Sequence, residues 1–140
     1  MPSVDVDIYG GSFPVTQGES EYRLTESDLY QFTGTSQWYP HPLGLLYTDG
    51  VLYLAERGGA YWLLDAIASW QFDPRIRDDR MLQQIQFWKL AVNLDRSALL
   101  ICERDSDDVA VTQEIPFTDF PLQSVTIYCH GGVLLLPSEY

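Results

Sequence analysis

Ala60-Tyr61-Trp62-Leu63-Leu64-Asp65-Ala66-Ile67-Ala68-Ser69-Trp70-Gln71 is a nearly uncharged, apolar segment with helical periodicity. Leu63, Ile67 and Trp70 recur at helical spacing, and Leu64 and Ala68 widen the stripe. Asp65 is the only charge on it, so the segment predicts a central helix whose apolar face needs a broad surface to cover. That surface is supplied downstream, where the pattern changes to short β-type runs: Gln86 to Leu94, Ala98 to Glu103, Val109 to Ile115, Ser124 to Cys129 and Val133 to Leu136. Turn signals at Asp95-Arg96, Asp105 to Asp108 and Gly131-Gly132 separate them, and connections this short predict an antiparallel meander. The fold class is therefore α+β, with short helices packed on a mainly antiparallel β-meander in a single domain.

Upstream of the central helix, Thr25-Glu26-Ser27-Asp28 has the form of a capping box with Leu24 and Leu29 as its staple, predicting a helix over residues 26–32. Thr48 or Asp49 can cap a helix that ends at Gly58-Gly59. Asp73-Pro74 starts a polar helix running to Met81 or Leu82. Between the first two helices, Ser36 to Leu43 holds Pro40 and Pro42, which remove backbone donors and predict an irregular aromatic loop. Residues 1–22 read as an N-terminal extension in which Val4 to Ile8 alternates like an edge strand, leaving residues 23–140 as the domain proper.

Composition excludes several functions. Twenty acidic side chains against eight basic ones give a net charge of -12, which repels nucleic acid and favours a basic protein partner. No apolar run is long enough to cross a bilayer and the first residues lack a secretory signal, so no membrane partner and a cytoplasmic location are expected. Cys102 and Cys129 show no metal-ligand or dithiol spacing and are expected to be buried thiols. Asp105 to Asp108 fails as a calcium loop because Ala110 and Pro116 stand where glycine and glutamate are needed. No cofactor and no metal are expected. Cys129 and His130 are strand neighbours whose side chains point to opposite faces, and His130-Gly131-Gly132 lacks the nucleophile elbow an esterase would need.

Two sets of residues remain as candidate sites. Trp38 and Tyr39, beside the prolines, can anchor an interface, and Glu103, Asp105, Asp107 and Asp108 at one hairpin tip can attract a basic surface. His41, Tyr61 and Asp65 form the second set, a candidate ligand pocket between helices and sheet. A lone carboxylate on an apolar helix needs a partner, and Arg57 on the preceding helix is the nearest in sequence.

The blocks Gln31 to Tyr39, Tyr47 to Val51, Ala60 to Asp65, Phe117 to Pro121 and Leu135 to Tyr140 resemble those of an uncharacterised bacterial family, a domain of unknown function associated with phages, plasmids and cyanobacterial genomes. The resemblance covers residues 24–140 and implies a genomic setting but no activity. Small acidic proteins of mobile elements include inhibitors that cover nucleic-acid grooves. The reading is thus a non-enzymatic binding protein that inhibits a basic, nucleic-acid-binding host protein, an anti-CRISPR or related anti-defence factor. The alternatives are a small-molecule-binding domain or small enzyme built on the pocket, and a housekeeping interaction module.

Overall fold

A computed structural model describes residues 24–140, so the extension over residues 1–22 and its strand at Val4 to Ile8 lie outside the described residues. Among the described residues the α-helices are α1 (Glu26–Tyr30), α2 (Asp49–Gly58), α3 (Tyr61–Trp70), α4 (Pro74–Arg77) and α5 (Arg80–Gln84). The strands are β1 (Trp38–Pro40), β2 (Leu46–Thr48), β3 (Ile85–Val92), β4 (Ala98–Asp105), β5 (Asp108–Ile115), β6 (Ser124–His130) and β7 (Val133–Leu135). They form one seven-stranded sheet in the order β1-β2-β7-β6-β3-β4-β5. Every pairing is antiparallel except β2 with β7. The class is α+β, as the sequence predicts.

The central helix explains the core. Leu63, Leu64 and Ile67 of α3 are fully buried in one cluster with Trp88 and Leu90 of β3, Leu100 and Cys102 of β4, and Ile127 of β6. Trp70, at the end of the apolar stripe, is half-buried, as is Val92 of β3. The Trp70 indole reaches across to Gln113 of β5 at 2.7 Å, and the buried Trp88 indole donates to Gln86 Oε1 at 2.7 Å, so each ring keeps a partner for its N–H.

Capping decides where the helices begin. Thr25 and Asp28 exchange both bonds of a capping box on α1, and Leu24 and Leu29 are buried behind it. Thr48 accepts from the Val51 amide to start α2, and Gly59 ends it in the left-handed conformation. The single polar helix expected from Asp73 to Leu82 is two. Asp73 caps α4, and Asp79 caps α5 by accepting from Leu82 at 3.0 Å, so the second aspartate restarts the chain in a new direction.

Two further corrections concern the sheet. Residues 38–40, expected to be irregular, form β1 against β2, because Pro40 lies on the outermost strand where a missing N–H breaks no ladder bond. The strands after residue 84 are also not a simple meander: β6 returns to pair with β3, not with β5. The crossing segment is fastened by Arg96, whose guanidinium donates to the carbonyls of Thr118 at 3.1 Å and Phe120 at 2.7 Å. Phe120 is buried against Gly58 of α2, where an added Cβ would stand 2.8 Å from the ring. The Gly131-Gly132 hairpin takes positive φ at both positions, the two-residue turn its sequence predicts.

Candidate docking site

The end of the sheet formed by β1, β2 and the starts of α2 and α3 gathers most of the singled-out residues. Its anchor is the N-terminus of α2. Asp49, the first helical residue, accepts from the Ser36 amide at 2.9 Å, the Ser36 hydroxyl at 3.0 Å and the Tyr39 hydroxyl at 2.8 Å. These donors, led by the Ser36 amide, lower its carboxyl from 3.8 to about 2, while the bond to Asp49 raises the Tyr39 hydroxyl above its ordinary value. Glu139 brings a second carboxylate to the same helix end. It accepts from Thr48 Oγ1 at 2.6 Å, the Gly50 amide at 3.1 Å and the Leu136 amide at 2.9 Å. Negative charge belongs at a helix N-terminus, where unpaired amides and the helix dipole favour it. Gly50 is required by this approach, since a Cβ there would lie 2.7 Å from both Glu139 Oε1 and a Leu136 methyl.

The candidate pocket residues are only partly united. Asp65 accepts from His41 Nε2 at 2.8 Å, not from Arg57, whose guanidinium lies 4.8 Å from the Tyr53 ring centre. His41 is 8% exposed, and its Nδ1 accepts the Leu43 amide at 3.0 Å, which places the ring hydrogen on Nε2 facing Asp65. Both ring nitrogens are thereby occupied, and the imidazole serves as a strut between the β1–β2 turn and α3. The Tyr61 hydroxyl turns instead to Glu56 at 3.4 Å. A base needs a free nitrogen facing a substrate, and His41 presents none here. A hollow of about 250 Å³ lies elsewhere, between α1 and β6, lined by Leu29, Tyr30, Leu122 and Leu136 among others.

The thiols are equally withdrawn. Burial pushes Cys102 up to about 12 and Cys129 up to about 11, which keeps both protonated and unreactive at neutral pH. Cys129 is buried whereas its neighbour His130 is exposed, on opposite faces of β6 as strand alternation requires. Among the described residues, no group of three or more His, Cys, Asp or Glu side chains could hold a metal ion. Nor is any helix among them long and apolar enough to cross a membrane.

The interface residues divide between the two edges of the sheet. Trp38 and Tyr39 lie on β1 and the Asp105–Asp108 turn joins β4 to β5, six strand spacings or roughly 29 Å away. They cannot form one patch. Glu103 is withdrawn from the tip, since β4 continues to Asp105 and the glutamate is buried with its carboxylate paired with Lys89 at 2.9 Å. Asp108 is bound to Arg104 at 3.0 Å, and Arg104 also holds Asp79 at 2.7 Å, which leaves Asp105 and Asp107 as the free charges of the tip.

What the β1–β2 end presents is aromatic and acidic. Strand alternation turns Tyr39 and Tyr47 toward the helices, with ring centres 5.7 Å apart, and Trp38 and Leu46 to the other face, where Trp38 is 54% exposed. Leu43, Leu46 and Tyr61, which pattern-reading missed as a group, are likewise exposed, and the Asp65 side chain is 69% exposed. The pairing of β1 with β2 places Trp38 and Leu46 on one face, and that pairing has no long apolar run to betray it.

Fold and site define an α+β domain with short helices packed on a mostly antiparallel open sheet and an exposed aromatic edge. The chain belongs to a family of unknown function, DUF6876, whose model matches residues 23–140. No curated protein and no solved structure matches it.

Proposed function

We propose that this domain is a non-enzymatic binding protein that docks a basic partner protein through the β1–β2 end. The observation that carries the reading is the exposure of Trp38 on an edge strand, with Leu46 exposed on the same face and Leu43 exposed in the turn that joins the two strands. Exposed apolar groups in a cluster, rimmed by polar ones, are what an interface displays before it is covered. Asp49 and Glu139 at α2, and His41 in the turn, hold this surface in place and are not free to do chemistry.

A net charge of -12 selects the partner's sign. The nucleic-acid-binding face of a host protein, such as a defence nuclease, has the required positive charge, and inhibition by covering it is the specific form of the proposal. Capture from host lysate at low and high salt tests this with three chains: wild type, Trp38→Ala and Asp105→Asn/Asp107→Asn. Wild type should retain one basic protein that survives moderate salt, and Trp38→Ala should lose it. The tip variant should retain it with slower association. Equal capture by the Trp38 variant would remove the β1–β2 end from the account.

A further inference from the structure

The other edge of the sheet supports an inference that goes beyond the β1–β2 reading. β5 ends the sheet, and among the described residues no strand pairs with its outer side. The bonds of the neighbouring strands settle which of its backbone groups point outward. Asn93 donates to the Ser97 carbonyl at 2.7 Å, so odd-numbered residues of β3 bond toward β4; Val92 donates to Gln123 at 2.8 Å, so even-numbered ones bond toward β6. Antiparallel alternation, carried through Leu90↔Leu100 and Leu100↔Gln113, turns Val111, Gln113 and Ile115 back toward β4. The N–H and C=O groups of Thr112 and Glu114 therefore face away from the sheet, and both residues are exposed. Unlike β1, which carries Pro40, β5 contains no proline, and its register shifts are confined to the hairpin tip.

On the helix side of this edge lies a hollow of about 370 Å³ lined by Ala66, Ser69, Trp70, Asp73 and Gln113. A strand laid along Thr112 and Glu114 would drop the side chain opposite Gln113 into that hollow and turn its neighbours to the other face, toward Glu114. We infer that β5 takes up an extended basic segment of a partner protein as an eighth strand, with an aliphatic side chain over Trp70 and lysine or arginine facing Glu114. Charge selects this occupant over a second copy of the chain. Each copy carries -12, whereas Asp105 and Asp107 at the tip and Glu114 on the strand attract a cationic segment.

The test uses an eight-residue peptide of alternating valine and lysine, with its valine–glutamate counterpart as control, at low salt. Amide exchange read by NMR should slow at least about tenfold at Thr112 and Glu114 with the lysine peptide and not with the glutamate peptide. Thr112→Pro removes an outward N–H and leaves the β4-facing bonds intact, so peptide affinity should fall at least about tenfold with β4 amides still protected. Should that variant fail to fold, Glu114→Lys provides the check, weakening the lysine peptide by a similar factor and admitting the glutamate one. The inference is overturned by an equal response to both peptides, by protection centred on β1–β2 or absent from β5, or by sedimentation showing a dimer that Thr112→Pro dissolves. Loss of this binding with Trp38-dependent capture intact would sink the β5 inference alone.

Discussion

The two edges of one sheet solve the same problem in opposite ways. β1 is three residues long, carries a proline, and is held to α2 by Asp49 while Glu139 binds the helix end behind β2. β5 is eight residues long, without proline, and exposes the outward groups of Thr112 and Glu114. An unpaired edge invites another chain, so its length, charge and proline content decide what can join it. The aromatic edge exposes side chains, and the acidic edge exposes main chain. Between them lies a single core, and variants can be sorted by whether they disturb the core, one edge, or a surface alone.

Ile67→Ala should have the largest effect, about 2–5 kcal/mol of stability by denaturant unfolding, because this fully buried side chain lies in the core common to both edges. Amide protection at β2 and at β5 should fall together. Protection falling at one edge only would show that the edges are separate folding units.

Glu139→Ala should cost roughly 1.5–3 kcal/mol, since it strands the Gly50 and Leu136 amides and the Thr48 hydroxyl. Exchange should quicken first in β1, β2 and α2, with β4 and β5 unchanged. Gly50→Ala should act at the same place by about 1–3 kcal/mol, as its methyl displaces the Glu139 carboxylate. A double variant costing clearly less than the sum of the two would confirm the shared cause, and full additivity would deny it.

Acid should separate the edges further. Asp49 is held at about 2, below its ordinary 3.8, so its contribution is complete above pH 3.8 and is lost as pH falls through about 2. Wild-type protection at β1–β2 should decline over that window faster than in Asp49→Asn, which has no carboxylate left to titrate. Identical pH profiles for the two chains would place the acid sensitivity elsewhere, for example in Asp79, whose carboxyl is lowered by Arg104.

Much of this was legible from residue patterns, for identifiable reasons. The capping box at Thr25, the Gly131-Gly132 turn and the stripe of α3 are local rules, and local rules survive folding. The strands of the β3–β4–β5 hairpins were visible because alternation and turn residues agreed. β1 and β2 were not, since three residues carry no period and the prolines spoke for a loop. The partner of Asp65 was missed because His41 is 24 residues away and is brought close only when β1 pairs with β2. The hairpin-tip acids were found by composition, but the withdrawal of Glu103 and Asp108 depends on Lys89 and Arg104 across the sheet or turn, which no spacing reveals. The resemblance blocks pointed to the right family, and their residues prove to be largely structural: Ser36, Tyr39, Thr48, Asp49, Gly50 and Glu139 converge on one helix end.

If Trp38 serves a partner and not the fold, as proposed, a paired measurement on Trp38→Ala separates the two. Unfolding stability should stay within about 0.5 kcal/mol of wild type, because the side chain is exposed, while affinity for the captured basic protein should fall by about 2 kcal/mol or more, some thirtyfold. A variant that lost stability and kept its affinity would reverse the roles assigned to the aromatic edge and contradict the account.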